Sequence, residues 1–507
     1  MNATQPESHI VQWLTWTQDT IGFGTLAATV LIIALLYDQF SYVKSKGSIA
    51  GPPLKMWPII GPFLDSINPD FEKYKAQWAS GALSCVSVFH KFVVLASDRD
   101  LTRKIFNSSA YVKPCVVDVA IKILRPTNWV FLDGKAHVDY RKGLNGLFTN
   151  RALSMYLPIQ EGIYDTYFEK FVQMSKDGHV PYMPIFREIN CALSLRTFCG
   201  NYITEEQIKE IAHDYYLVTA ALELVNFPII LPFTKAWYGK KAADKVMDIF
   251  AKCAQMAKDH IKAGGDVTCT MDAWIAIMHG RGLESEDGSM LNKKIRKFSN
   301  KEISETIFTF LFASQDASSS ATTWLFQIVA DRPDVYAKIR EEQLAVRGGD
   351  PNVPLSLELT EQMTYTNMVV KECLRLRPPV IMVPYVAKKD FPISDTYTVP
   401  KGSMIIPTVY PSLHDPEVYE RPDEFVPERW LPDGDGTKNA KNWLVFGTGP
   451  HYCLGQKYAV MNFTNMIGKA CMNLDFTHKV TPLSEKVRVF ATIFPDDDCL
   501  LQFKKRE

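Results

Sequence analysis

Between Thr20 and Tyr37 the chain runs through an uncharged, almost wholly apolar stretch bounded by Asp19 and Asp38. A helix needs roughly 17–25 such residues to cross a bilayer core, so residues 20–37 predict a transmembrane anchor. No lysine or arginine precedes the stretch, whereas Lys44 and Lys46 follow it. That order argues against a cleaved signal peptide, and by the positive-inside rule it makes residues 1–19 a short lumenal tail and leaves the rest in the cytosol. A buried core helix or hairpin is the competing reading; the terminal position and polar flanks favour the anchor. The sequon Asn2-Ala3-Thr4 then falls on the glycosylation-competent side, while Asn107-Ser108-Ser109 and Asn462-Phe463-Thr464 do not. Residues 38–62 hold Gly51, Pro52, Pro53, Pro58, Gly61 and Pro62. Prolines restrict φ and remove donors, so this segment is expected to be a stiff hinge.

Residues 63–507 contain no repeat and no low-complexity break, which predicts one large domain. Helical periodicity dominates it. Glu205–Ala220, with Thr204 as N-cap, and Ala242–Lys262 both read as amphipathic helices. Short apolar runs predict strands at Cys85–Leu95, Ile381–Ala387, Met404–Val409 and Val487–Phe494. The expected fold class is mainly α with small β-sheets, preceded by a single N-terminal transmembrane helix.

The longest helix opens on Ser299 and Glu302, a capping box, and runs to Arg332-Pro333, where proline stops it. Ile307–Ala313 and Trp324–Val329 are apolar nearly all round, yet Ser314, Gln315, Asp316, Ser318, Ser319 and Ser320 interrupt the middle. On a period of about 3.6 residues, Thr309, Ala313, Asp316, Ala317 and Ser320 share one small, polar face. A buried carboxylate is costly unless paired or hydrated, so Asp316 needs compensation. These features predict a central helix lining a cavity, with a solvated outer face as the alternative.

Charge narrows the picture little: Lys plus Arg and Asp plus Glu stand at 56 each, so no global field points to nucleic acid or an acidic surface. The 10 cysteines form no C-x-x-C pair and suggest reduced, mostly buried thiols in the cytosol. Cys453 differs. It sits in Phe446-Gly447-Thr448-Gly449-Pro450-His451-Tyr452-Cys453-Leu454-Gly455, where glycines and a proline wrap the backbone around one sulfur. A helix-like run begins at Gly455, so the thiolate gains a positive dipole end and free backbone N–H groups, with Phe446 as a shield.

This loop resembles the cytochrome P-450 signature F-x-x-G-x-[R/H]-x-C-x-G. The resemblance implies a haem-thiolate fold, haem b as cofactor, and Cys453 as axial ligand to its iron. Glu372-Cys373-Leu374-Arg375 resembles the family's E-x-x-R helix, and Pro427-Glu428-Arg429-Trp430 its P-E-R-[FW] segment. Glu372, Arg375 and Arg429 are then expected to form a structural cluster that holds the thiolate loop. By position, His137 and Arg141 correspond to the family's W-x-x-x-R pair, with histidine for tryptophan. Together with Tyr385, Phe446 and His451 they are the expected haem-binding residues.

Where the family's central helix reads [A/G]-G-x-[D/E]-T-[T/S], this chain has Ala313-Ser314-Gln315-Asp316-Ala317-Ser318, so the usual threonine is Ala317. Asp316 with Ser318 or Ser320 is the expected proton supply. The stretches FLFASQDASSSATTWLFQIVADRPDV and LRLRPPVIMVPYVAKKDFPIS resemble the fungal sterol C-22 desaturases. That resemblance implies oxygen- and NADPH-dependent formation of a C22–C23 double bond in ergosterol biosynthesis, at the endoplasmic reticulum membrane. A sterol side chain would lie among Phe308, Phe312, Ala313, Val380, Ile381, Met382, Ile493 and Phe494. Electrons would come from NADPH through a separate cytochrome P-450 reductase docking near Lys142, Lys438, Lys441 and Lys457. A haem-thiolate hydroxylase of another sterol or lipid, or a peroxide isomerase, is the alternative that Ala317 keeps open; a non-catalytic haem carrier has no evident use for the anchor or for Asp316.

Overall fold

The computed structural model describes residues 7–55, 57, 61–62, 69–89, 91–115, 118–223, 229–281, 295–490 and 492–506, with side chains from residue 24 onward. The sequon at Asn2, Pro58 of the hinge and Phe63 at the start of the body lie outside these. The helices that frame the molecule are α1 (Glu7–Lys46), α2 (Gly134–Asn145), α3 (Met183–Cys199), α4 (Glu205–Ala220), α5 (Lys235–Lys262), α6 (Asn300–Ala330), α7 (Thr364–Leu376) and α8 (Gln456–Asn473). Among the described residues, Gly24–Lys46 of α1 is long and apolar enough to cross a membrane. The helix outruns the expected anchor at both ends. Beyond Gly24 no glycine or proline occurs before Gly47, so residues 38–46, expected in the hinge, continue it.

Capping fixes the helix starts as expected. Thr204 Oγ1 accepts from Gln207 N at 3.2 Å, and Gln207 Oε1 accepts from Thr204 N at 3.0 Å. Ser299 and Glu302 repeat the arrangement at the head of α6. The helix at Ala242–Lys262 begins earlier, at Lys235, where Thr234 caps it.

All four expected strands are broken or shortened, Met404–Val409 ending at Pro407. Cys85–Leu95 is a hairpin, β1 (Leu83–Val88) and β2 (Lys91–Ala96), turned at Phe89 with φ of 50°. Val487–Phe494 is likewise two strands, β6 (Val487–Val489) and β7 (Ile493–Pro495), paired antiparallel. Ile381–Ala387 shrinks to Tyr385–Ala387, because Pro384 has no N–H to donate. With β3 (Val112–Pro114), β4 (Tyr385–Ala387) and β5 (Met404–Pro407) the sheet order is β1-β2-β5-β4-β3. The mixed sheet sets Tyr385 opposite Ile405 and holds the segment after α7 beside the cavity.

Helix α6 joins two separate cores. Ile303, Ile307, Phe308 and Leu311 pack with Trp274, Phe250 and Phe298 on one side. Trp324, Leu325, Phe326 and Val329 pack with Phe171, Phe186 and Phe503 on the other. Each fully buried side chain of this size contributes roughly 1.5–3 kcal/mol, so both ends of the helix are pinned. Between them lies the small, polar middle, and there Ala313 is exposed although the helix around it is buried.

Candidate active site

That exposure has a cause: Ala313 faces a cavity of about 420 Å³. Thr309, Phe310, Ser314, Ala317 and Ser318 of α6 line one wall, Cys453 and its loop the opposite wall, and Phe106, Trp129, Val130, Phe148 and Phe198 close the sides. Apart from these hydroxyls, Cys453, and His137, Arg141 and His451 at the rim, the lining is largely apolar. A larger open groove of about 810 Å³ lies on the outer side of the loop, against Lys371, Trp430, Trp443, Gln456 and Lys457. It does not include Cys453, and the chemistry belongs to the smaller cavity.

The cysteine loop is built from two features. Cys453 N donates to Phe446 O at 2.9 Å, closing the turn. Gly447 and Gly449 take φ of 68° and 74°, and a Cβ at Gly449 would lie 2.5 Å from Phe106 O. Only glycine fits there. Most other cysteines are fully buried, whereas Cys453 is partly accessible from the cavity. Burial pushes its thiol above the usual range, offset in part by Gly455 N–H and by Arg141. Gly455 N–H and Arg141 both favour the thiolate against that burial, and a bound cation would favour it further.

Across the rim, Arg141 donates through Nη2 to Tyr452 O at 2.6 Å and lies over the Tyr452 ring. His137 and His451 stand ring to ring at 4.0 Å, with Trp129 stacked behind His137. Burial and the neighbouring Arg141 lower the His137 pKa, and burial, His137 and Arg141 bring His451 to about 4. Both imidazoles are thus neutral at pH 7, and Arg141 supplies the positive charge. Tyr385, buried on β4, meets Phe106 edge-on and lines the same cavity. A flat macrocycle with carboxylates at one edge and iron at the thiol fits this set: a soft sulfur ligand on one wall, small residues on the other, and a cation with neutral donors at the rim.

The structure reassigns several expected residues. Asp316 does not line the cavity. At about 100° per residue its side chain is turned about 80° from the centre of the open stripe between Ala313 and Ala317. It is 6% exposed, lies 2.5 Å from Arg187 Nη1 of α3, and accepts from Thr219 Oγ1 of α4 at 3.0 Å. The compensation it required is this pairing. Ser320 is fully buried and donates to Ile493 O at 2.5 Å, so it tethers β7 and is absent from the reaction space. Ser318 does face the cavity.

Of the expected lining, Ala313 and Val380 are in place. Phe308 points into the core on the far side of α6, and Phe312 packs at its margin. Ile381, Met382 and Ile493 join the second core, and Phe494 is buried beside them in β7. Adjacent residues in extended backbone face opposite ways, so Val380 turns in and Ile381 out. The aromatic walls at Phe106, Trp129, Phe148 and Phe198 went unread, because they come from four distant segments with no shared local pattern.

The Glu372 cluster is assembled as expected. Glu372 and Arg375 are 0% exposed. Arg375 Nε and Nη2 each donate to the Glu372 carboxylate at 2.9 Å, Arg429 Nε donates at 3.1 Å, Val426 N at 3.0 Å and Trp430 Nε1 at 3.2 Å. From there Trp430, Trp443 and Phe446 run as edge-to-face pairs, each 5.5 Å between centroids, to the cysteine loop.

Comparison with known proteins agrees with this geometry. The Cytochrome P450 family model matches residues 51–494. The chain is 64% identical to C-22 sterol desaturase ERG5 of Saccharomyces cerevisiae, over 97% of this chain and 91% of that protein. It is 63% identical to the protein of the same name from Candida albicans, over 95% and 93%. The structure of retinoic acid-bound cyanobacterial CYP120A1 superposes with a TM-score of 0.75 at 22% identity, covering 89% of this chain and 98% of that one. Loop, cluster and cavity thus meet in one assignment: the chain belongs to the cytochrome P450 family and carries haem b through the thiolate of Cys453.

Proposed function

We propose that this chain is an oxygen- and NADPH-dependent sterol C-22 desaturase of ergosterol biosynthesis, which introduces the C22–C23 double bond of the sterol side chain. The observation that carries the reading is an apolar cavity facing the Cys453 sulfur in a chain 64% identical to a protein of that name. The balance is simple. Two hydrogens leave neighbouring side-chain carbons, and dioxygen, with two reductase electrons and two protons, ends as two waters.

Haem, held by Cys453 and steadied at its rim by His137, Arg141, Tyr385 and His451, supplies dioxygen activation and oxidation of an unactivated carbon. The chain does the rest. Ala313 and Ala317 leave room for a branched hydrocarbon beside α6, while Phe310, Trp129, Val130 and Phe198 exclude water from it. Ser318, with Ser314 and Thr309, places hydroxyls on the same wall. Ser314 Oγ is tied to Ser194 Oγ at 2.9 Å. Asp316 sits behind them, paired with Arg187 and bonded by Thr219, and takes no place on the hydroxyl wall.

Proton transfer by a placed side chain is typically worth about 10²–10⁴-fold, and water replaces part of it, so Ser318→Ala is expected to lower product formed per NADPH about tenfold. Ser320→Ala should leave that ratio unchanged and cost about 1 kcal/mol of stability through the lost bond to Ile493. Equal uncoupling in both variants would remove Ser318 from the role. The exposed Lys142, Lys438, Lys441 and Lys457 make no ion pair among the described residues. They are free to meet an acidic reductase beside the open groove.

The body faces the cytosol from a single-pass anchor in the endoplasmic reticulum membrane. Purified full-length chain, reductase, NADPH and a panel of sterols saturated at carbon 22 test the function. The expected product carries the new double bond and consumes oxygen. A hydroxylated sterol or another lipid product would favour the hydroxylase reading, and peroxide conversion without NADPH an isomerase.

A further inference from the structure

The end of α1 is docked to the body. Gln39 and Lys55 exchange two bonds: Gln39 Nε2 donates to Lys55 O, and Lys55 N donates to Gln39 Oε1, both at 2.9 Å. Lys55 Nζ, on a residue only 5% exposed, donates to Asp38 Oδ1 at 3.0 Å and to Phe89 O at 2.8 Å. Tyr42 Oη donates to Pro52 O at 2.8 Å, and Tyr397 Oη to Ser45 O at 2.7 Å. Asp38, Gln39, Tyr42 and Ser45 recur at the spacing of one helix face. A flexible tether needs none of these bonds.

The opposite face of the same turns is apolar and open. Tyr37, Phe40 and Val43 are 72%, 67% and 44% exposed, and across the docked junction Leu54 and Trp57 are 58% and 61% exposed. Along α1 this face continues from the exposed apolar run Leu26–Leu36. Lys44 and Lys46 stand at its edge, where long basic side chains reach lipid headgroups.

We propose that Tyr37, Phe40, Val43, Leu54 and Trp57 form a lipid-facing rim, stapled to the body through Lys55, Asp38 and Gln39, so that the bilayer surface meets the body at one depth and tilt. The proposal rests on α1 being the membrane anchor. Its occupant is the headgroup–acyl boundary, because the rim is continuous with the spanning segment and carries the aromatic and aliphatic side chains that partition there.

Full-length, haem-loaded chain in phosphatidylcholine vesicles tests it, with nitroxides on Leu54→Cys, Trp57→Cys and, as an aqueous control, Val480→Cys, which is 70% exposed. Labels at 54 and 57 are expected to relax more with oxygen than with a water-soluble nickel chelate, and the label at 480 the reverse. Pulsed dipolar distances between labels at Leu31→Cys and Val480→Cys should be narrow, and about twofold broader with Lys55→Ala or Gln39→Ala, as the junction becomes a flexible linker. Nickel accessibility at 54 and 57 equal to that at 480, in a chain that resists alkaline carbonate extraction, overturns the rim and leaves the anchor standing. A broad distribution before any substitution overturns the staple. Release by carbonate overturns the anchor reading itself.

Discussion

A Cys453→Ala chain should retain its helical content and lose its cofactor chemistry: no thiolate-type Soret band on reduction with carbon monoxide, and no sterol product. Removing even a hydrogen-bonding residue behind a metal ligand costs about 10–100-fold in affinity, so loss of the ligand itself is expected to exceed that. The rest of the pocket does not compensate. Arg141 holds Tyr452 O and lies over its ring, and His137 and His451 are neutral, so the rim steadies a macrocycle edge without offering iron a sulfur. Retention of the loop shape is expected because Cys453 N–H, not the thiol, closes the turn onto Phe446 O. Haem titration, carbon monoxide difference spectra and circular dichroism on one sample separate the outcomes. An unaltered spectrum would place the sulfur elsewhere and end the haem-thiolate account.

Glu372→Gln is expected to be the most damaging change far from the reaction space. Five donors converge on one carboxylate: three from Arg375 and Arg429, one from Val426 N and one from Trp430 Nε1. Glutamine keeps the shape, but it removes the charge and aims an NH₂ at donors already in place. Breaking a buried pair by removing one partner costs about 3–5 kcal/mol, a large part of the roughly 5–15 kcal/mol that holds a domain folded. Loss should spread along Trp430, Trp443 and Phe446 to the cysteine loop, so haem content per chain is expected to fall with the Tm. Arg375→Lys should fall nearly as far, because a single ammonium cannot copy a fork that also donates to Leu413 O, Pro422 O and Glu424 O. Calorimetric melts and haem stoichiometry check both. A Glu372→Gln chain with native Tm would mean that the cluster is decorative.

Legibility in the sequence follows locality. The cysteine loop could be read because its glycines, proline and sulfur are spaced by one tight turn. The N-cap at Thr204 and the capping box at Ser299 are equally plain, being signals within four residues. The cavity was not, since helical spacing gives which residues share a face and not which way that face is turned. Phe308 and Phe312 are the expected lining, and it is Phe310, between them, that faces the cavity. Asp316 was expected beside Ala317 and stands instead between α3 and α4, because Arg187 and Thr219, far away along the chain, were there to receive it. The hairpins at Phe89 and between Val489 and Ile493 leave no local mark, because no glycine, asparagine or proline stands at either turn.

Helix α6 is clamped in a different core at each end, with its open stripe between the clamps. Such a beam cannot yield to a bulkier guest without disturbing one core or the other. Adaptation to new sterol shapes should therefore accumulate on the facing aromatic shell, above all at Phe106, which packs in a third core away from either clamp. Drift in substrate range would then leave the serine-rich beam nearly untouched while the shell is rewritten.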